Sequence, residues 1–169
     1  MSQLGVKTLT EVQALEREPV DADTYKRAVE IVERVRKGGR DALVAQGEEL
    51  GDIQPGQPLI YDRTALKRAA EALADDERGV LERTAERIKV FAEGQRGCLR
   101  SFETSIPGGR AGHGFAPVDT AGCYAPGGRF PLPSTVLMTA ITARAAGVKQ
   151  VVVASPKPTE VTLAAASIA

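Results

Sequence analysis

The stretch that decides the fold runs from Gly122 to Ile141 and reads Gly-Cys-Tyr-Ala-Pro-Gly-Gly-Arg-Phe-Pro-Leu-Pro-Ser-Thr-Val-Leu-Met-Thr-Ala-Ile. An apolar approach enters a Pro-Gly-Gly turn, crosses two further prolines and continues into an apolar segment. This order predicts a strand, a loop and a helix. We expect Ser134 or Thr135 to cap that helix, whose first turn then favours an anion. The loop therefore lies where a ligand could bind.

The loop itself has the features of a ligand-binding turn. Gly127 and Gly128 lack a Cβ, so the backbone can approach a bulky or anionic group closely. Pro126 stiffens the turn and removes a backbone donor. Tyr124 offers a ring for stacking and a hydroxyl for hydrogen bonding. A rigid structural turn with a buried tyrosine explains the same residues, because the loop matches neither a Walker loop nor a GxGxxG fingerprint.

The chain from residue 119 onward predicts a βαβα unit. Its strands end at Tyr124 and cover 150–154, and its helices cover about 134–146 and begin again at about residue 159. The second strand contains three consecutive valines, so both its faces need cover, as in a parallel sheet between helix layers. Two strands do not supply that cover, and the last helix has no C-cap signal. We therefore expect residues 119–169 to be a partial, truncated Rossmann-like nucleotide-binding domain.

The region before this unit divides into two parts. Residues 1–97 predict a helical module, since apolar residues recur at helical spacing between cap and turn signals, and Gly38-Gly39 separates two of its helices. The acidic run 75–77 is assigned to the first turn of a helix, where the macrodipole favours it, rather than to a metal site. Residues 98–118 alternate around a Pro-Gly-Gly turn and predict a β-hairpin connector that returns through 114–118. The fold class is therefore α/β.

Composition excludes several classes of protein. Lysine plus arginine equals aspartate plus glutamate, 22 each, which argues against a nucleic-acid or anionic-membrane binder. No stretch resembles a signal peptide or a membrane span, so we expect a cytoplasmic protein. Cys98 and Cys123 have no metal-type spacing and are expected to be small buried hydrophobes. His113 is the one histidine and is expected in a solvated turn, which argues against a self-contained zinc site.

The run 124–138 is similar to the N-terminal half of histidinol dehydrogenase. That family has a Tyr-apolar-Pro-Gly-Gly turn, then a Pro-Ser-Thr-Val-Leu-Met helix, an Ala-Gly-Val segment matched at 145–148, and an apolar strand ending in Pro, matched at 151–156. Ala125 and Thr142 depart from the pattern, where Val or Ile and Pro are usual, but neither change removes a chemical group. The N-terminal helical region resembles the family more weakly, so the resemblance covers essentially the whole chain.

The resemblance implies a zinc- and NAD-dependent homodimer of aldehyde-dehydrogenase-like architecture, which oxidises L-histidinol through L-histidinaldehyde to L-histidine. Tyr124 matches the family's cofactor-contacting tyrosine, and we assign NAD binding to Tyr124, Pro126, Gly127 and Gly128. The family's metal ligands and acid/base residues match no position here. We therefore expect these 169 residues to be part of a longer enzyme, with no catalytic or metal-binding residue and no activity alone.

Two other interpretations stay open. The chain fits a non-catalytic binding or assembly module whose incomplete sheet is completed by a partner chain. It also fits another NAD-dependent enzyme of aldehyde-dehydrogenase-like architecture. That second interpretation requires a cysteine nucleophile outside this stretch.

Overall fold

A computed structural model describes residues 8–13, 20–127 and 130–169. Contacts divide the chain into two compact units, Met1–Leu50 and Gly51–Ala169. The sequence pattern proposes different domain boundaries, at residues 97 and 118, and these remain a proposal. Within the described parts of the chain, no helix combines the length and the hydropathy that a bilayer crossing requires.

The first unit contains α1 (Leu9–Gln13) and α2 (Ala22–Glu49). Both helices begin at side-chain caps. Thr8 and Glu11 form a reciprocal cap before α1, with the Thr8 N–H donating to the Glu11 carboxylate at 2.7 Å. Asp21 caps α2 by accepting from the Thr24 N–H at 2.8 Å, and this backbone hydrogen bond lowers the pKa of the Asp21 carboxyl.

A glycine break divides α2, as the sequence predicted. Gly39 has φ 60° and ψ −139°, outside the helical region. Gly38 packs so closely that a Cβ there would lie 2.6 Å from the Ala42 Cβ. Arg34 lies before the break and forms an ion pair with Glu49 at 3.1 Å beyond it. The two glycines therefore let the chain change direction inside one nominal helix.

The second unit begins with two helices and alternates strands and helices thereafter. In the described residues before Cys98 every regular element of the chain is a helix. In chain order, the elements of this unit are α3 (Arg63–Ala72), α4 (Asp75–Gly97), β1 (Phe102–Ile106), β2 (Gly109–His113), β3 (Thr120–Tyr124), α5 (Pro133–Ala145), β4 (Gln150–Ala154) and α6 (Glu160–Ile168). The predicted order of the βαβα unit is confirmed.

Helix α5 lies at the centre of this unit. Its Val136 and Leu137 are 0% exposed. Helices α4 and α6 pack against α5, α3 packs against α6, and α5 also contacts β3 and β4. The small side chains of Ala164 and Ala165 on α6 are fully buried in the same cluster. The core is therefore a helical layer that covers one side of a short sheet.

The strands form two separate two-stranded sheets in the described residues. β3 and β4 pair in parallel, with Tyr124 opposite Ala154, and β1 and β2 pair antiparallel, with Phe102 opposite His113. The chain is thus a mixed helix and strand protein with small sheets.

The hairpin differs from the sequence prediction. The predicted return through 114–118 is wrong, because β2 begins at Gly109, directly after the turn. Gly108 takes φ 87° and reverses the chain within two residues. His113 consequently ends β2 and is not a turn residue.

Candidate functional site

The candidate site lies at the carboxyl edge of the parallel pair. β3 and β4 run in the same direction, so the loops that follow Tyr124 and Ala154 leave the same edge. In open α/β sheets ligands bind outside this edge. The helices α5 and α6 begin after these two loops.

Tyr124 occupies the end of β3 with its side chain turned away from the core. Its neighbours Cys123 and Ala125 are buried, whereas Tyr124 is 63% exposed. The alternation of a strand explains the difference, because successive side chains point to opposite faces. This exposure excludes the alternative of a purely structural turn in which Tyr124 packs in the core.

The turn after β3 is fixed to the loop after β4. The Ala125 N–H donates to the Ala154 carbonyl at 2.9 Å, which extends the strand pairing by one bond. A Cβ on Gly127 would lie 2.1 Å from the Pro156 carbonyl oxygen. Because Gly127 has no side chain, its backbone can lie against the loop after β4.

Three of the four predicted NAD-binding residues come together at this edge. Tyr124 is exposed, and Pro126 and Gly127 are half-buried beside it. Gly128, the fourth predicted residue, lies outside the described residues. The NAD-binding role of all four stays a prediction.

Helix α5 begins differently from the expectation. Neither Ser134 nor Thr135 is the cap, because the helix starts one residue earlier, at Pro133. Leu132 is the N-cap residue and provides no side-chain hydrogen bond. Proline suits the first helical position, where it needs no N–H partner. The first turn of α5 thus lacks a side-chain cap, and it faces the same edge as Tyr124.

Lys157 is a residue of this edge that the sequence reasoning missed. It lies between two prolines in the loop after β4 and has φ 46°, in the left-handed region that non-glycine residues rarely adopt. Strained backbone of this kind is concentrated at functional sites. The Pro-Lys-Pro sequence directly after an apolar strand is the signal that could have identified it.

The residues with acid/base or metal-binding chemistry lie apart from one another. Among the described residues, no three His, Cys, Asp or Glu side chains form a group that could hold a metal ion. His113 contacts the rings of Phe102 and Phe115, at centroid distances of 6.0 and 5.4 Å. The described residues therefore do not bring together the ligands that a zinc site needs.

The two cysteines have different environments. Cys123 is buried, as predicted. The prediction that Cys98 is buried is wrong, because it follows the end of α4 and is exposed, with its thiol donating to the Gly94 carbonyl at 3.4 Å. The acidic run 75–77 does lie in the first turn of α4, as expected, and Asp75 forms an ion pair with Arg78.

Comparisons with known proteins agree on one family. A family profile described as histidinol dehydrogenase matches residues 15–169. The histidinol dehydrogenase of Pseudomonas savastanoi pv. phaseolicola is 37% identical over 155 residues, which is 88% of this chain and 34% of the relative. That of Halobacterium salinarum is 42% identical over 145 residues, 83% of this chain and 33% of the relative. The chain thus spans about a third of the length of these curated relatives.

A solved structure shows the same fold. The crystal structure of histidinol dehydrogenase from Elizabethkingia anophelis superposes with a TM-score of 0.76 at 22% identity. The match covers 95% of this chain and 38% of that chain. Nearly the whole described architecture is therefore shared with one part of a longer protein.

Proposed function

Because this chain belongs to the histidinol dehydrogenase family, we propose that it holds the nucleotide in an enzyme that oxidises L-histidinol through L-histidinaldehyde to L-histidine with NAD. The observation that carries the proposal is the exposed Tyr124 ring at the carboxyl edge of the parallel strands. NAD supplies the hydride acceptor for both oxidation steps. The role of this chain is to bind and orient that cofactor.

The chemistry of the edge suits a dinucleotide. An exposed tyrosine provides a flat apolar surface for a base or nicotinamide ring and a hydroxyl for a ribose or phosphate oxygen. In the first turn of α5, Pro133 has no N–H and the Thr135 N–H donates to the Leu132 carbonyl at 3.0 Å, which leaves the Ser134 N–H to favour a phosphate. The close approach of Gly127 to Pro156 holds the turn in place. Gly128 is included in the proposed site from its sequence position.

The remaining chemistry is proposed to come from elsewhere in the complete enzyme. The family resemblance implies zinc and an acid/base pair, and the described residues contain no group that fits the metal. No step through zinc is therefore assigned to these residues, and we propose that they do not turn over L-histidinol alone. By the same resemblance we propose a cytoplasmic homodimer of aldehyde-dehydrogenase-like architecture.

Binding of NAD to the purified 169-residue protein tests the proposal. Tyr124→Ala should weaken binding about tenfold, since stacking of a base on an aromatic ring contributes about 1–3 kcal/mol. Tyr124→Phe keeps the ring and should retain most of the affinity. Equilibrium dialysis with labelled NAD gives the dissociation constants.

The matched control is Tyr25→Ala, which removes a similarly exposed tyrosine, 68% against 63%, from α2. It should leave NAD binding unchanged. Equal affinity for the wild type and Tyr124→Ala would contradict the proposed role of Tyr124. Undetectable binding by the wild type would contradict the assignment of nucleotide binding to this chain.

A further inference from the structure

The segment between β4 and α6 carries two charged side chains that have no role in the NAD site as described above. Lys157 lies in the loop after β4, and Glu160 is the first residue of α6. Both side chains are exposed. Because β3 and β4 are parallel, this loop leaves the same edge of the sheet as the turn after Tyr124. Both charges therefore lie at the edge to which the nucleotide is assigned.

Neither charge is neutralised within the described parts of the chain, where Lys157 and Glu160 form no ion pair and no side-chain hydrogen bond. A Cβ on Gly51 would lie 3.8 Å from the Lys157 Nζ, and glycine brings no side chain to this amine. The dipole of α6 stabilises Glu160 in its first turn, but it disfavours a cation in the segment that leads into the helix. The helix therefore accounts for Glu160 and does not account for Lys157.

The order of the elements gives these charges a place along a dinucleotide. In a βαβ unit that binds a dinucleotide, the pyrophosphate lies at the N-terminus of the helix after the first strand, and an acidic residue further along the chain hydrogen-bonds to the adenosine ribose. Here β3 and α5 are the first strand and its helix, and β4 is the second strand. In the described residues of the two loops and of the first turns of α5 and α6, Glu160 is the one carboxylate that can take this position.

The two charges act differently on NAD and on NADP, which carries an additional phosphate on the adenosine ribose. A carboxylate accepts hydrogen bonds from the ribose hydroxyls of NAD and repels the additional phosphate of NADP. Lys157 and the first turn of α6, which no side chain caps, would by themselves attract that phosphate. The charge of Glu160 therefore decides which of the two cofactors this edge accepts.

We propose that Glu160 and Lys157 bind the adenosine ribose of the dinucleotide, and that Glu160 makes the site selective for NAD over NADP. Glu160 accepts hydrogen bonds from the ribose hydroxyls, and the Lys157 amine donates to an oxygen of the same ribose. The inference rests on the proposed function, because it adds these two residues to the NAD site beside Tyr124. It assigns Glu160 a specificity role that a purely helix-stabilising carboxylate would not have.

Dissociation constants of NAD and of NADP for the purified 169-residue chain, measured by equilibrium dialysis, test the inference. The wild type should bind NAD at least about tenfold more tightly than NADP. Glu160→Gln keeps the size of the side chain and removes its charge, so it should bind NADP at least about tenfold more tightly than the wild type does. Adding Lys157→Gln to this variant should remove the gain, because the cation that attracts the additional phosphate is lost.

The matched control is Glu77→Gln, which removes an exposed carboxylate from the first turn of α4. It changes the net charge and the surroundings of a helix N-terminus in the same way as Glu160→Gln does. It should leave the dissociation constants of both cofactors unchanged, because α4 does not begin at the edge beside Tyr124. Thermal unfolding of each variant confirms that it is folded.

Three results would overturn the inference and leave the proposed function in place, provided that Tyr124→Ala still weakens NAD binding. The first is equal affinity of the wild type for NAD and NADP. The second is a Glu160→Gln chain that discriminates against NADP as strongly as the wild type. The third is a Glu77→Gln chain that loses the discrimination to the same extent. Undetectable binding of NAD by the wild type would instead overturn the proposed function and this inference together.

Discussion

The two small sheets of the second unit have the same strand number and strand length but very different surroundings. Every residue of the β1–β2 hairpin is exposed. In the β3–β4 pair, Cys123 is buried and Val153 packs against the core. Helix α5 contacts both strands of that pair and accounts for the difference. Strand pairing alone therefore does not make a core, since an isolated two-stranded sheet is marginally stable in water.

The hairpin is held by contacts within itself. Phe102 and His113 lie opposite one another, and Phe115 meets the His113 ring edge-on. On the other face Glu103 and Arg110 form an ion pair at 2.5 Å. Such contacts contribute locally, so we expect the hairpin to open separately from the helical core.

The largest expected difference between the two regions comes from removing one large apolar side chain from each. Leu137→Ala should lower the free energy of unfolding by about 2–5 kcal/mol, because it leaves a cavity under the β3–β4 pair. Phe102→Ala, at an exposed position of the hairpin, should change it by less than about 0.5 kcal/mol. Urea denaturation followed by circular dichroism measures both values. Similar losses in the two variants would show that the hairpin is part of the cooperative core.

A second comparison uses two glycines with the same steric problem. A Cβ on Gly127 would lie 2.1 Å from the Pro156 carbonyl oxygen, and one on Gly112 would lie 2.2 Å from the Phe102 carbonyl oxygen. Gly127→Ala should destabilise the whole unit by about 1–3 kcal/mol, since the parallel pair is packed on the core.

Gly112→Ala serves as the matched variant and should act on the hairpin only. We expect faster amide exchange across 102–113 and a global unfolding free energy within about 0.5 kcal/mol of the wild type. If Gly112→Ala lowered the global stability as much as Gly127→Ala, the proposed independence of the two sheets would be wrong.

The smallest expected effect belongs to the ion pair of the hairpin. Glu103→Gln removes the charge opposite Arg110 and should cost at most about 1 kcal/mol of local stability, because exposed ion pairs are screened by water and salt. Hydrogen exchange of the hairpin amides should detect it at low ionic strength. In 0.5 M salt, about a 4 Å screening length, the variant and the wild type should exchange alike. A difference that persists there would point to a non-electrostatic role of Glu103.

The sequence predicted the helices and strands better than their environment. Apolar runs and glycine breaks identified α5, β4 and the interruption of α2, because these signals are local. The hairpin register was missed because glycines at 109, 112 and 114 suggest a wide turn. In the structure the chain already reverses at Gly108, which has a positive φ. The start of α5 was missed because proline and serine are both common at helix starts. The structure places Pro133, and not Ser134, at the first helical position.

Side-chain exposure at the site required three-dimensional information. Alternation along β3 predicts that Tyr124 and Cys123 face opposite sides, but not which side the helices cover. The position of α5 decides this, and it leaves Tyr124 exposed. The exposure of Cys98 depends in the same way on where α4 ends.

The close approach of Gly127 to Pro156 joins two connections that are separated in sequence by an entire helix and a strand. With no space between them, the turn cannot shift without displacing the segment that leads into α6. A shift of the turn after Tyr124 toward the loop after β4 would therefore press on the segment that leads into α6.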